Sequence, residues 1–349
     1  MTEFLYTADS LPVLQNRVYP DASSALHCPT GDLALLACPK TGIVVNAKFD
    51  PGKVIYDAAY HNEQAVSGAF QDHLRQVADL VQRHLNCTEI VEIGCGKGAF
   101  LDVLAGRGIA AVGFDPAYEG SNPLIRKELF SARAEIRGSG VILRHVLEHI
   151  QHPVDFLRVI SDANGGGGRV YIEVPCLDWI IANRAWFDIF YEHVNYFRMS
   201  DFERMFGVVV HAERTFGGQY LSVVAELDSL RDPGPSEAPK WPTGFGPSLA
   251  RKAVPKGLAP TQLVWGAASK GVIFSLMMQR AGSPIAAAVD INPAKQGRYL
   301  PCTGAEVFAP DRAMAQFPRG TQAWVMNPNY MSEVARLAGH HFELCPIEP

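Results

Sequence analysis

The sequence predicts an α/β protein in which two doubly wound parallel sheets follow a smaller N-terminal module. Three observations carry this. Short apolar runs of strand type alternate with runs whose apolar residues recur every three or four positions, as on one face of a helix. A glycine cluster, Gly94-Cys-Gly-Lys-Gly98, follows one of the strand-type runs directly. A proline-rich stretch then separates two regions that show the same alternation.

In chain order, the first 60 residues are mixed, with strand-type runs at 33–37 and 42–46, and read as a small cap. Over 63–85 the residues Val66, Phe70, Leu74, Val77, Val81 and Leu85 share one helical face. A buried strand at 89–93 runs through the glycines into a helix at 99–104. Strands at 110–114, 140–143 and 170–174, with a helix at 153–161, continue the alternation. Seven prolines fall between Pro233 and Pro260, with Gly234, Gly244, Gly246 and Gly257 among them, which marks a connector. Beyond it, strands at 262–265, 285–290 and 321–326 and a helix at 269–281 form a second, smaller Rossmann-like unit. The expected division is a module over 1–62, a core over 63–230, a connector over 231–260 and a C-terminal domain over 261–349.

Composition excludes several classes. With 349 residues, 48% of them hydrophobic and 19% charged, the chain is neither disordered nor fibrous. Its 31 Lys+Arg against 36 Asp+Glu, without a long basic run, argue against a nucleic acid partner and favour a small-molecule substrate. No apolar stretch reaches the roughly 18 to 20 residues of a membrane span, and the N-terminus lacks a basic and then apolar leader. A cytoplasmic protein away from membranes is expected. The seven cysteines, at 28, 38, 87, 95, 176, 302 and 345, are odd in number and scattered, so reduced thiols are expected in place of a disulfide framework.

The strand–glycine turn–helix unit marks a ligand site, because glycines admit close backbone approach and a helix start offers unpaired N–H donors. The spacing G-x-G-x-G differs from the dinucleotide G-x-G-x-x-G, and acidic Glu92 precedes it. The next strand ends in Gly113-Phe-Asp-Pro116. That places Asp115 about 20 residues beyond the glycines, where a carboxylate accepts both hydroxyls of a ribose.

Together with Arg144-His-Val-Leu-Glu-His-Ile150, these motifs resemble the landmarks of class I S-adenosylmethionine methyltransferases. Ile172-Glu-Val-Pro175, Tyr191-Glu-His-Val-Asn-Tyr196, Trp265-Gly-Ala-Ala-Ser-Lys-Gly271, Asp290 to Gly297 and Asn329-Tyr330 extend the likeness. In combination the chain resembles the C-methyltransferases of nucleotide-activated keto-deoxysugars over roughly residues 25 to 345. The resemblance implies a Rossmann-like core that binds S-adenosyl-L-methionine. Gly94 and Gly96 would border its methionine part with Glu92 nearby, and Asp115 would hold the ribose. Phe114 or Pro116 would flank the adenine, and His145 with Val146 would lie under the sulfonium end. Tyr60 would stand against cofactor and substrate. For the acceptor it implies Glu192 and His193 as base or orienting pair, with Tyr191 and Tyr196 as further proton-handling groups. Trp179, Phe190 and Lys270 would contact the substrate, Lys270 at a remote anionic group.

Two departures from that family stand out. Its N-terminal module usually holds zinc on two Cys-x-x-Cys knuckles, whereas here Cys28 and Cys38 remain singly and Thr41 replaces a partner. A metal-free module is therefore expected. The family stretch Tyr-His-Glu-His reads Phe190-Tyr-Glu-His193, so the hydroxyl at the first position is missing. Three other readings stay open. One is transfer to oxygen or nitrogen of a non-sugar acceptor, and another is a non-catalytic protein that binds S-adenosylmethionine. The third is a nicotinamide oxidoreductase built on Gly266 to Gly271 and Asp290.

Overall fold

The computed structural model describes residues 4–56, 60–61, 63–85, 89–134, 136, 140–247 and 261–347. Strand β1 (Tyr6–Pro12), helix α1 (Ala22–Leu26), β2 (Thr30–Ala37) and β3 (Val44–Asn46) form the N-terminal part, with β2 antiparallel to both β1 and β3. Helix α2 (Gly68–His84) begins later than the apolar spacing suggests, because Ser67 Oγ accepts the Phe70 N–H at 3.4 Å and caps the first turn. Val66 lies ahead of the cap and is exposed, while Phe70, Leu74, Val77 and Val81 are buried.

Next come β4 (Glu89–Ile93), α3 (Ala99–Ala105), β5 (Ala110–Phe114), β6 (Ile125–Arg126), β7 (Gly140–Arg144), α4 (Pro153–Ala163), β8 (Arg169–Pro175), α5 (Leu177–Ala182), β9 (Asn195–Tyr196), α6 (Met199–Met205), β10 (Val209–Thr215) and β11 (Tyr220–Glu226). Seven of these strands make one sheet in the order β10-β11-β8-β7-β4-β5-β6. The strands from β8 to β6 are parallel, and β11 joins β8 antiparallel. β4, β7 and β8 are covered on both faces, which is why they read as nearly unbroken apolar runs. Strand order reverses between β4 and β7, so the loops after them diverge and leave a crevice at the carboxyl ends of the strands. β9 leaves this region and pairs with β3, supplying the fourth strand of the N-terminal sheet.

The last part holds β12 (Gln262–Trp265), α7 (Ser269–Arg280), β13 (Ala287–Val289), β14 (Glu306–Phe308), α8 (Pro310–Gln316), β15 (Gln322–Val325), α9 (Met331–Ala338) and β16 (Glu343–Pro346). Its five strands are all parallel in the order β14-β13-β12-β15-β16, and the order reverses between β12 and β15. Of the proline-rich stretch, 231–247 is described and contains no strand or helix, while 248–260 lies outside the described residues. One apolar core joins all three parts: Leu11, Leu33 and Leu35 pack with Leu177, Phe187 and Phe190 and with Val264, Ile273 and Phe274. Among the described residues no helix is long and apolar enough to cross a membrane.

A buried charge network ties the centre of the seven-stranded sheet. Glu173 accepts from Arg144 Nε at 3.2 Å and Nη2 at 3.1 Å, from Tyr171 Oη at 3.1 Å, and faces His73 Nε2 at 2.9 Å. Glu173→Gln should therefore destabilise the fold by about 3 to 5 kcal/mol, the usual result of leaving a buried cation uncompensated. Urea unfolding followed by circular dichroism measures this, and a midpoint equal to wild type would contradict it.

Candidate active site

The carboxyl ends of the two parallel sheets face one cavity of about 230 Å³. The larger sheet contributes His145, Glu148 and His149, which follow β7, and Pro175 at the end of β8. From the smaller sheet come Gly266 and Ala268 to Gly271 after β12, Asp290 and Asn292 after β13, and Asn327 after β15. Asn16 and Tyr60 close the third side, joined to the smaller sheet's side by a 2.9 Å bond from Asn16 Nδ2 to Ser269 Oγ.

The glycine turn does not itself line this cavity but is linked to it through Val146, which contacts Gly94 and follows the lining residue His145. Gly94, Gly96 and Gly98 have φ of 74°, 56° and 86°, left-handed values that side chains other than glycine rarely adopt. A side chain at Gly94 would run into Val146 Cγ2, whereas one at Gly96 would meet open space. Asp115 Oδ2 accepts from Gly96 N and Oδ1 from Ala117 N, each at 2.8 Å, leaving one lone pair on each oxygen free. Burial raises the Asp115 pKa, with the Ala117 and Gly96 N–H groups pulling the other way. An open cradle of glycine backbone beside a half-buried carboxylate with two spare acceptor positions fits an adenosine-type cofactor. Val146 packs on Gly94 and leads the chain into the cavity at His145, whose own φ is 53°.

His145, His149, Glu192 and His193 meet in the cavity wall. Burial works against charge on His145, but Glu148 and Glu173, each 3.4 Å away, raise its pKa to about 9. His193 is the opposite case. Burial, reinforced by His149 and His145, holds its pKa well below the usual histidine value, and its Nδ1 makes no hydrogen bond. Its ring packs edge-on against His149 and Phe190, with centroids 4.8 Å away in both cases. Glu192 Oε2 accepts from Tyr60 Oη at 2.9 Å and Tyr56 Oη at 3.2 Å, and Oε1 from Gln15 N at 3.4 Å. Burial raises the Glu192 pKa; His149 and these donors oppose the rise. Two adjacent residues thus present an uncharged imidazole and a tethered carboxyl to one cavity.

Several expected site residues lie elsewhere. Tyr191 is fully buried in the apolar core, its ring on Phe49 and its hydroxyl accepting from Asp50 N at 3.0 Å. It does not line the cavity and its hydroxyl is engaged elsewhere, so the structure does not place it among the proton-handling groups of the site. Tyr196 Oη is occupied by the Phe190 backbone, accepting from N at 3.0 Å and donating to O at 2.8 Å, and it pins that loop. Glu92 points into the sheet, with Oε1 3.8 Å from Arg144 Nη1 and Oε2 without a hydrogen bond; burial pushes its pKa up to about 7. Phe114 is buried against Phe130 and Arg126, whereas Pro116 is exposed beside Asp115.

On the substrate side, Phe190 lines the cavity and Trp179 does not. Trp179 instead lies 5.4 Å under Lys270. Lys270 lines the cavity, but its charge is already paired with Asp188 Oδ2 at 2.9 Å, and it donates to Gln219 Oε1 at 2.6 Å. It is therefore not a free cation for an anionic group. Lys295, which sequence reasoning missed, is buried in the cavity lining with Nζ 3.1 Å from Ala267 O, and burial lowers its pKa against the pull of Asp290. Asp188 and Asn16 were missed too. Lys295 falls within the Asp290 to Gly297 segment already singled out in the sequence, whereas Asp188 and Asn16 sit in no glycine turn or strand end, so only contact reveals them.

Glu148, His149 and His193 place donor atoms within 4.8 Å of one another, the only group of three such residues among those described. Neither Glu148 oxygen accepts a hydrogen bond. A cation held there would engage His193 and remove it as a base.

Residues 64–207 match the family model described as a methyltransferase domain. The chain is 23% identical over 296 residues to the C-methyltransferase NovU of Streptomyces niveus, covering 72% of this chain and 70% of that protein. It is also similar to the solved structure of a SAM dependent methyltransferase from Archaeoglobus fulgidus, at 16% identity and a TM-score of 0.33 over 45% of this chain and 97% of that one. A second is the 1,6-didemethyltoxoflavin-N1-methyltransferase of Burkholderia thailandensis, at 14% identity and a TM-score of 0.35 over 53% and 95% of the two chains. The family match, and not these structures, assigns the core.

The corrected positions of the two tyrosines have a measurable consequence. Tyr191→Phe should cost about 1 kcal/mol of stability, one hydrogen bond, and leave the turnover of any accepted substrate within about twofold of wild type. Thermal unfolding and steady-state rates test this together. A stable but inactive Tyr191→Phe variant would return this residue to the chemistry.

Proposed function

Because the core of this chain is a class I S-adenosylmethionine-dependent methyltransferase domain, we propose that the protein methylates the carbon beside a carbonyl on a nucleotide-linked keto-deoxysugar or related natural-product intermediate. The observation that carries this reading is the single cavity at which both sheets end, with uncharged His193 and tethered Glu192 in its wall. The C-methyltransferase relative supports transfer to carbon. In this reading the module over 1–62, the core over 63–230 and the domain over 261–349 each supply one side.

S-adenosylmethionine supplies an electrophilic methyl group on a positively charged sulfur. Gly94, Gly96 and Asp115 hold it, with Pro116 at the adenine end and Val146, His145 and Tyr60 toward the cavity. His193 takes the acceptor's proton; because it is unprotonated at neutral pH, the acid limb of the rate profile should lie below the usual histidine value of about 6.5. Glu192, fixed by Tyr60, Tyr56 and Gln15, orients the acceptor. His145, kept protonated by Glu148 and Glu173 on its two ring nitrogens, contributes positive charge to the cavity wall where negative charge develops as the proton leaves. The turn at Gly266 to Gly271 with Lys295 and Asn292 holds the remote group, for instance a diphosphate, so that distant binding energy positions the reacting carbon.

A specific observation favours a second reading. Phe190 lines the cavity without a hydroxyl and Tyr191 faces away, so no aromatic hydroxyl stands where the sugar C-methyltransferases carry one. An oxygen or nitrogen acceptor needs less help in losing its proton, so methylation of such an atom on a non-sugar molecule is the alternative.

Incubation with S-adenosylmethionine and a panel of nucleotide 4-ketosugars should yield a product heavier by one methylene unit in mass spectrometry. Turnover of a heteroatom acceptor only would replace the first reading by the second. Asp115→Ala should weaken cofactor binding by about 1.5 to 3 kcal/mol in calorimetry. By contrast, His193→Ala and Glu192→Gln should keep cofactor affinity and lose about 100-fold in turnover. Near-wild-type rates in both would remove the pair from the chemistry. Turnover should also survive exhaustive treatment with a chelator, and a loss restored by a divalent cation would make Glu148, His149 and His193 ligands instead.

A further inference from the structure

Outside the cavity, two thiols 274 residues apart in sequence meet. Cys28 follows α1 and Cys302 lies in the loop between β13 and β14, with their Sγ atoms 3.4 Å apart. Three backbone hydrogen bonds pin the two loops together. Cys302 N donates to Ala25 O at 2.9 Å, Tyr19 N to Tyr299 O at 3.0 Å, and Tyr299 N to Tyr19 O at 2.9 Å. Two residues on, Gly304 has φ of 67° and packs so closely on α1 that an added side-chain carbon would lie 3.4 Å from Ala22 O and Leu26 Cγ. Cys302 itself has φ of 63°, a conformation rare for a residue with a side chain and maintained here by its surroundings. The sulfur contact is thus imposed by two pinned backbones and does not hang on one rotamer.

The two thiols differ in character. Cys28 is buried and Cys302 is partly exposed. The Cys302 thiol beside Cys28 stabilises a thiolate there, burial opposes it and Tyr19 adds to the effect, and Cys28 comes down to about 7. Cys302 is correspondingly raised. Reactive cysteines combine a thiolate populated near neutral pH with access from solvent, here 7% of the Cys28 surface and more of Cys302, and a second thiol in contact is what turns oxidation into a reversible bond.

We propose that Cys28 and Cys302 are a peroxide-responsive dithiol that closes into a disulfide between the N-terminal module and the C-terminal domain. The Cys28 thiolate attacks hydrogen peroxide, the O–O bond breaks, Cys28 becomes a sulfenic acid, and the departing hydroxide takes up the proton that the Cys28 thiol gave up and leaves as water. The Cys302 sulfur then displaces the sulfenic oxygen, which leaves as a second water. Two thiols and one hydrogen peroxide become one disulfide and two waters, and a reducing dithiol reverses the step. Closing the bond requires the sulfurs to approach by about 1.3 Å to the usual 2.05 Å. The link would fasten the module that carries Asn16 to the domain that carries Ser269, two residues already joined at the cavity edge.

The experiment treats the full chain with a small excess of hydrogen peroxide, alkylates the remaining thiols, and maps the peptides by mass spectrometry. Expected is a Cys28–Cys302 linked peptide, lighter by two hydrogens than the two free peptides, while the other five cysteines are alkylated. In Cys302→Ser the sulfenic acid should persist on Cys28 and be captured by dimedone. In Cys28→Ser, Cys302 should stay alkylatable. Dithiothreitol should release the linked peptide. Free Cys28 and Cys302 after peroxide treatment of the wild type, or oxidation spread evenly over all cysteines, would overturn the proposal. The wild-type map decides even if a variant fails to fold.

Discussion

The Glu173 carboxylate is buried with no exposed surface in the middle of the seven-stranded sheet, and the arrangement around the cavity depends on how it is compensated. Burial alone would raise its pKa, yet Arg144 and His73, together with the hydrogen bonds it receives, hold it well below the carboxylate range. Arg144 stands opposite Glu173 in register on the neighbouring strand, so the pair marks the point where β7 and β8 reach the cavity. The next residue, His145, turns into left-handed backbone and donates its N–H to Glu173 O at 2.8 Å. One residue therefore meets the end of β7 through its charge, holds a cavity residue through its backbone carbonyl and, together with Glu148, keeps that residue protonated.

A second constraint follows from parallel pairing. Parallel strands must return by crossovers, so their loops gather at two ends, and a reversal of strand order opens a crevice at the carboxyl end. This chain has two such reversals, beside β4 and beside β12, and the apolar core shared by the three parts holds the crevices face to face. In the proposed reading, one side takes the activated methyl donor and the other the remote part of an acceptor.

Charge in the cavity is arranged by what each group touches. His145 lies between two carboxylates and is cationic, whereas His193 lies among rings and other histidines and is not. Lys270 and Asp188 pair, while Lys295 reaches the turn after β12 at Ala267 O. Residues of one chemical type thus take different roles a few ångströms apart.

Much of this was legible in the sequence. The sequence located β4, β5 and β12 to the residue, because short apolar runs were ended by glycine after β4 and β12 and by Asp115-Pro116 after β5. The glycine turn and Asp115 were visible for a related reason, since close backbone approach and strand ends leave local signatures, whereas the Glu192-His193 pair entered only through the family resemblance. The hairpin of β10 and β11 went unread although Gly217 and Gly218, with φ of 67° and 84°, mark its turn between two β-branched runs. What only the tertiary structure decided is the direction of each side chain and the partner that meets it. Tyr191 and Glu192 are neighbours in sequence, but which one faces the cavity depends on Phe49 and Asp50, about 140 positions away. The pairing of Lys270 with Asp188, the burial of Lys295 and the contact of Cys28 with Cys302 are likewise long-range. No local pattern encodes them, because spacing along a chain fixes the face of an element and packing alone fixes what lies against that face.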